Sequence, residues 1–127
     1  MKVINVRKLL ITSCAFIVLL ACKHKPKLPG PLEAGWQGQA VCEVLEENKD
    51  LRVLKCTFRP NIGHEKHRHA PHFGYTVKGG KFRITDANGT REVDIPDGYS
   101  FTNDNIVEHE VLNIGDSTAI FLIIEYK

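Results

Sequence analysis

A chain of 127 residues has room for one domain with its own core, since compact domains usually run to about 100–150 residues. Its 43% apolar and 25% charged residues exclude a largely disordered chain and a polytopic membrane protein. The formal net charge is +2, but Lys2, Arg7 and Lys8 all precede Cys22; taking these 3 from 17 basic residues leaves 14 against 15 acidic ones, a net −1 with no electrostatic footprint for nucleic acid.

The first element is an address. Residues 2–8 carry the three positive charges, and thirteen uncharged, mostly apolar residues follow at 9–21. That is a signal-peptide layout over 1–21, shorter than the roughly 20 apolar residues a spanning helix needs. Leu19-Leu20-Ala21-Cys22 resembles the lipobox of bacterial lipoproteins, although the commonest pattern has a small residue where Leu20 stands. The resemblance implies lipidation of Cys22 and an exported protein held at the bacterial envelope, on its periplasmic or outer-membrane side. An ordinary secretory signal or an uncleaved anchor would also place the domain outside the cytoplasm. Residues 22–38, rich in Pro, Gly and Lys and without helical or strand periodicity, are read as a lipid-anchored tether. Lys23, Lys25 and Lys27 are either a solvated linker or a basic run leaning on anionic head groups. Trp36 is expected to pack against the outside of the following domain.

From residue 39 onward the chain offers short runs with period-two patterning divided by turn residues, and no long helical pattern. Strands are expected at 40–46, 51–58, 66–70, 72–78, 81–85, 90–95, 99–102, 107–113 and 118–126. Gly79-Gly80 supplies a flexible turn, and Asp86-Ala87-Asn88-Gly89 reads as a hairpin with Asn-Gly in a type I′ turn. Eight or nine such strands make an all-β closed barrel or sandwich over residues 39–127.

Four of the six histidines, His64, His67, His69 and His72, fall within nine residues. His67 and His69 are two apart, so on a strand both rings leave the same face. His109 alternates with Val107 and Val111, which turns its ring inward. Several imidazoles converging in an apolar barrel need a partner for their nitrogens, and a divalent transition metal (Fe, Mn, Ni, Cu or Zn) supplies one. His64 is expected at the surface, as is His24 in the tether.

Residues 63–75 and 98–113 resemble the two motifs of the cupin superfamily, with His67-Arg68-His69 and the apolar run before Gly79 in the first and His109-Glu110-Val111-Leu112-Asn113 in the second. The match spans residues 41–127 and is nearest in kind to small single-domain bacterial cupins ending in an apolar strand with a near-terminal Glu, here Glu125. It implies a single antiparallel, jelly-roll-like β-barrel holding one metal ion. Where many cupins carry a metal-binding Glu this chain has His72, counting back from Gly79, or Phe73, counting from Gly80. The first register is preferred and gives a ligand set of His67, His69, His72 and His109; the second leaves three histidines.

Cys14 falls within the signal, while a hairpin centred on Lys49 places Cys42 opposite Cys56, so that either a disulfide or two buried thiols result. The resemblance implies a small metal-dependent oxidoreductase of the dioxygenase kind acting on a small molecule, with a non-catalytic metal or ligand carrier as the alternative. Phe73, Tyr75, Phe82 and Phe101 are expected at the pocket wall. No carboxylate stands out as a general base. Homodimerisation is a further expectation from the resemblance.

Overall fold

The computed structural model describes residues 26–127. The signal segment, Cys14, Cys22, His24, Lys23 and Lys25 lie outside the described residues. Nine strands follow a one-turn helix: α1 (Pro31–Ala34), β1 (Cys42–Glu47), β2 (Leu51–Phe58), β3 (Gly63–His69), β4 (His72–Lys78), β5 (Gly80–Asp86), β6 (Gly89–Ile95), β7 (Ser100–Asn103), β8 (Val107–Asn113) and β9 (Ala119–Tyr126). They form two antiparallel sheets, one ordered β1-β2-β9-β4-β7 and the other β3-β8-β5-β6. This is the all-β double-sheeted barrel that the strand spacing implied. No helix among the described residues is long and apolar enough to cross a membrane.

The core follows from alternation. Leu54, Cys56 and Phe58 on β2 and Ala119, Phe121 and Ile123 on β9 occupy every second position and are buried. Phe82 closes over them from the other sheet, and Phe58, Phe82 and Phe121 meet edge to face at 5.4–6.0 Å between ring centres. Asn113 is buried here and fully used: its amide donates to the carbonyls of Phe58 and Ser117, and its Oδ1 accepts from Gly115 N–H. Its place is structural, tying the end of β8 to β2.

The two sheets differ on their outer faces. On the four-stranded sheet, charged residues such as Lys81, Arg83, Glu92, Asp94, Glu108 and Glu110 are exposed. On the five-stranded sheet the middle of the outer face is apolar: Val53, Ile124 and Phe73 lie side by side in register, as do Leu122 and Tyr75, while the second row ends in the Lys55–Glu43 ion pair.

Cys42 and Cys56 are paired across β1 and β2 and joined by a disulfide. The sequence separation is 14, and a closed loop of about that length stabilises a fold by roughly 3 kcal/mol. Replacing both cysteines by serine is therefore expected to lower unfolding free energy by about 3 kcal/mol in urea titrations, with the same native spectrum; no change would show that the bond does not constrain the unfolded chain.

Three local expectations are corrected. The second half of the segment read as tether is folded onto the barrel: Arg68 N–H donates to the Pro29 carbonyl, Glu65 N–H to the Gly35 carbonyl, and Gln37 N–H to the Glu65 carboxylate. β3 is an edge strand, and this segment supplies the partners that its outer backbone groups need. Trp36 packs against the core cluster and over Gly63, where a Cβ would strike the indole. The 86–89 turn is not type I′. Asn88 keeps a negative φ, Asp86 Oδ1 accepts its N–H at 2.8 Å, and the positive φ of 106° falls on Gly89. Neither Gly79 nor Gly80 has a positive φ; Gly79 is needed because a Cβ there would run into the Ile95 carbonyl.

Candidate metal centre

His67 on β3 and His109 on β8 are directly opposed partners, and His69 lies two residues along the same face of β3. Ring centres stand 4.7 Å apart for His67 and His69, 4.8 Å for His67 and His109, and 5.4 Å for His69 and His109. One nitrogen from each lies within 4.8 Å of the others. Imidazoles from two separated stretches of chain thus meet inside the barrel, and the three could hold a metal ion.

Proton placement sharpens this. His67 Nδ1 is 2.7 Å from the Glu65 carbonyl, and His69 Nδ1 is 3.0 Å from Glu125 Oε1. Both partners are acceptors, so both Nδ1 atoms carry hydrogen and both Nε2 atoms present lone pairs. Those two Nε2 atoms face each other at 2.9 Å. Two lone pairs at this distance repel unless a cation lies between them. Burial and then the neighbouring histidines push the His67 imidazole down to about 2 and that of His109 to about 3, so these two rings are neutral donors near pH 7. A metal ion fits well: nitrogens about 2.0–2.1 Å from one ion stand roughly 2.9–3.4 Å apart for angles between 90° and 109°.

Glu125 backs the site. Burial alone would raise its pKa, but hydrogen bonds from His69 and Arg52 outweigh it and hold the carboxyl below the usual range. Oε1 accepts from His69 while Oε2 accepts from Arg52 Nη2 at 2.6 Å and Nε at 3.1 Å. Arg52, Glu125, His72 and Asn103 form one row across neighbouring strands of the five-stranded sheet, so a polar row faces the histidines where the next rows are apolar. A carboxylate behind a ligating imidazole fixes its tautomer and raises its basicity.

His72 is buried and beside His69, with ring centres 4.8 Å apart, but it is not one of the three converging nitrogens. Its Nδ1–H donates to the Ala70 carbonyl at 2.7 Å and its Nε2 accepts from the Asn103 amide at 3.1 Å. Its lone pair is engaged, which is why the structure assembles three of the four expected ligands.

His64, expected at the surface, is buried. A bulge in the β3–β8 ladder between His64 and His67 puts both rings on the inner face despite their odd spacing, and they stack at 3.7 Å. His64 Nε2–H donates to the Pro31 carbonyl at 2.8 Å, tying the N-terminal segment to the site. The signal missed in the sequence was the bulge, which no period-two argument can register.

A cavity of about 350 Å³ opens beside the histidines. Phe82 and Phe101 line it as expected; Phe73 and Tyr75 do not, because His72, Gly74 and Thr76 take the inward positions of β4 and the aromatics alternate to its outer face.

The lowered histidines give the metal-free protein an acid sensitivity. His64 is pushed by burial to about 4, His67 to about 2 and His109 to about 3, each from an unfolded value near 6.5. Above pH 6.5 the rings are neutral in both states, so nothing is lost; as pH falls below 6.5 the unfolded chain gains protons that the native state refuses. Unfolding free energy should then drop by up to about 1.4 kcal/mol per pH unit for each histidine between pH 6 and 4. A flat urea midpoint over that window would contradict the burial described.

The comparisons with known proteins agree on the fold. The chain is 26% identical to a cupin domain protein from Bordetella pertussis Tohama I, over 80% of this chain and 97% of that one, with a TM-score of 0.65. A protein with a double-stranded β-helix domain from Klebsiella pneumoniae has 18% identity over 69% and 76% of the two chains, TM-score 0.57. A polyketide cyclase from Streptomyces resistomycificus has 16% identity over 67% and 63%, TM-score 0.56. No protein-family model and no curated protein sequence matches the chain. The fold is that of the cupin barrels, and its interior carries a histidine trio able to bind a metal.

Proposed function

We propose that the protein is an envelope-anchored metalloprotein that binds one divalent transition metal through His67, His69 and His109 and acts as a small metal-dependent oxidoreductase on a small molecule. The observation that carries the metal is the facing pair of Nε2 lone pairs at 2.9 Å, with both Nδ1 protons committed elsewhere. A redox-active ion bound there would activate oxygen or an oxygen-bearing substrate. The chain's own residues orient the rings through the Glu65 carbonyl and the Glu125 carboxylate. Among the described residues Asp86, bonded to Arg91 at 2.8 Å, is the carboxylate that lines the cavity.

Export is supported by the leader, the lipobox and the Cys42–Cys56 disulfide, a bond that persists in oxidising compartments. Loss of fatty-acid labelling in a Cys22→Ser protein is the expected result. A homodimer would use the apolar outer face of the five-stranded sheet, and a monomeric sedimentation mass would exclude it.

The deciding experiment is elemental analysis of protein isolated from its own envelope, followed by oxygen consumption with phenols, diketones and thiols. One equivalent of metal with turnover is expected. One equivalent without turnover would favour the carrier, and no metal would overturn both.

A further inference from the structure

We infer that the folded segment 29–37 positions His67, so that docking of this segment on β3 and metal binding inside the barrel strengthen each other. The inference deepens the metal-site reading and rests on it for the metal, while the hold on His67 stands on the geometry of the protein alone.

The outer edge and the inner face of β3 are joined through Glu65. In the ladder to β8, His64 opposes Val111 and His67 opposes His109, so Glu65 and Lys66 together face the single residue between, Glu110. This bulge brings His64 and His67 to the inner face together, where a regular strand would turn one of them outward. A bulge interrupts the ladder, and the backbone groups there need partners from elsewhere. Segment 29–37 supplies them: Glu65 N–H donates to the Gly35 carbonyl at 2.9 Å, and the Glu65 carboxylate accepts the Gln37 N–H at 2.8 Å. The third polar group of the same residue, its carbonyl, accepts His67 Nδ1–H at 2.7 Å. Glu65 thus carries the segment on one side and sets the tautomer and aim of a converging imidazole on the other.

Two further contacts flank His67. His64 donates its Nε2–H to the Pro31 carbonyl at 2.8 Å and stacks on the His67 ring at 3.7 Å, and Arg68 N–H donates to the Pro29 carbonyl at 2.9 Å. The segment has a shape of its own that suits this role. Trp36 and Gln39 exchange both backbone hydrogen bonds, at 2.8 and 2.9 Å, across a turn in which Gln37 takes a φ of 49°. Gly35 has a φ of 62°, and a Cβ there would strike the Gln39 carbonyl. The ring of His69 is secured differently, by Glu125 from the other sheet. Release of the segment should therefore free His67 and leave His69 in place. By reciprocity, whatever docking adds to metal affinity the metal adds to docking.

The test uses the full-length chain, metal-free and with zinc, and the variant Gln37→Pro. Proline removes the N–H that Glu65 accepts and imposes a negative φ where the turn has 49°. In metal-free wild-type protein, long-range ¹H–¹⁵N spectra should show His67 as the Nδ1–H tautomer; in Gln37→Pro it should become a mixture of tautomers while His69 keeps Nδ1 protonated. Hydrogen exchange at the Glu65 and Arg68 amides should rise at least 10-fold in the variant, and its zinc affinity should fall at least 10-fold. Zinc should slow exchange at the same two amides at least 10-fold in wild-type protein. Glu65→Ala keeps the backbone bonds and loses the carboxylate, so it should move each quantity the same way by less, and it serves if the proline variant does not fold. A His67 tautomer unchanged while the Glu65 and Arg68 amides exchange freely, or zinc that binds wild-type protein without slowing those amides, would overturn the inference. Wild-type protein that takes up no zinc, with the tautomer change in the variant intact, would strike the metal reading and leave the positioning of His67 standing.

Discussion

His109→Ala is expected to remove high-affinity metal binding, with an affinity loss above 100-fold. The other two imidazoles stay in place, since His67 and His69 are held by the Glu65 carbonyl and Glu125. What disappears is the donor from the opposite strand, one of three nitrogens within 4.8 Å. Losing an outer partner of a ligand costs about 10–100-fold, and losing a ligand should cost more. The fold should persist, because His109 is half-buried and its strand retains its backbone ladder. Wild-type protein at metal a thousand times above Kd gains about 4 kcal/mol of stability, and the variant should gain almost none. His72→Ala is the informative companion. With its Nε2 engaged by Asn103, it should bind metal nearly as wild type does; a loss matching His109→Ala would restore the four-histidine set.

Glu125 carries the second large effect, and its two oxygens separate into two measurements. Glu125→Gln keeps the shape but removes the charge, so His69 loses its carboxylate partner and metal affinity should fall about 10–100-fold. Glu125→Ala also strands Arg52, whose guanidinium bonds Oε2 twice. Breaking a buried pair costs about 3–5 kcal/mol; Arg52 still reaches solvent at 22% exposure, so about 2–3 kcal/mol is expected here, read from urea unfolding of the metal-free protein. Wild-type metal affinity in Glu125→Gln would mean that His69 is oriented by packing alone.

Much of this was legible in the sequence. β2, β4 and β8 occupy the predicted ranges 51–58, 72–78 and 107–113, because each is a regular run with alternation on both sides of the sheet. His67, His69 and His109 could be read from two-residue spacing and from the valines flanking His109. What failed did so for reasons local rules do not contain. His64 looked outward until a bulge reversed its face, and 29–38 looked like a linker because its partner is an edge strand distant in sequence. Glu125 was visible only as a near-terminal acid in an apolar strand. Its value comes from registering between Arg52 and His72, a tertiary fact.

Long-range ¹H–¹⁵N spectra of the histidine side chains, with and without zinc, test most directly whether three imidazoles share one ion. His67 and His69 are expected to keep Nδ1 protonated throughout, their Nε2 resonances and one ring nitrogen of His109 to move together on adding one equivalent, and His72 to stay near its metal-free position. Nε2 signals of His67 and His69 that ignore zinc, or that move without His109, would contradict a shared ion.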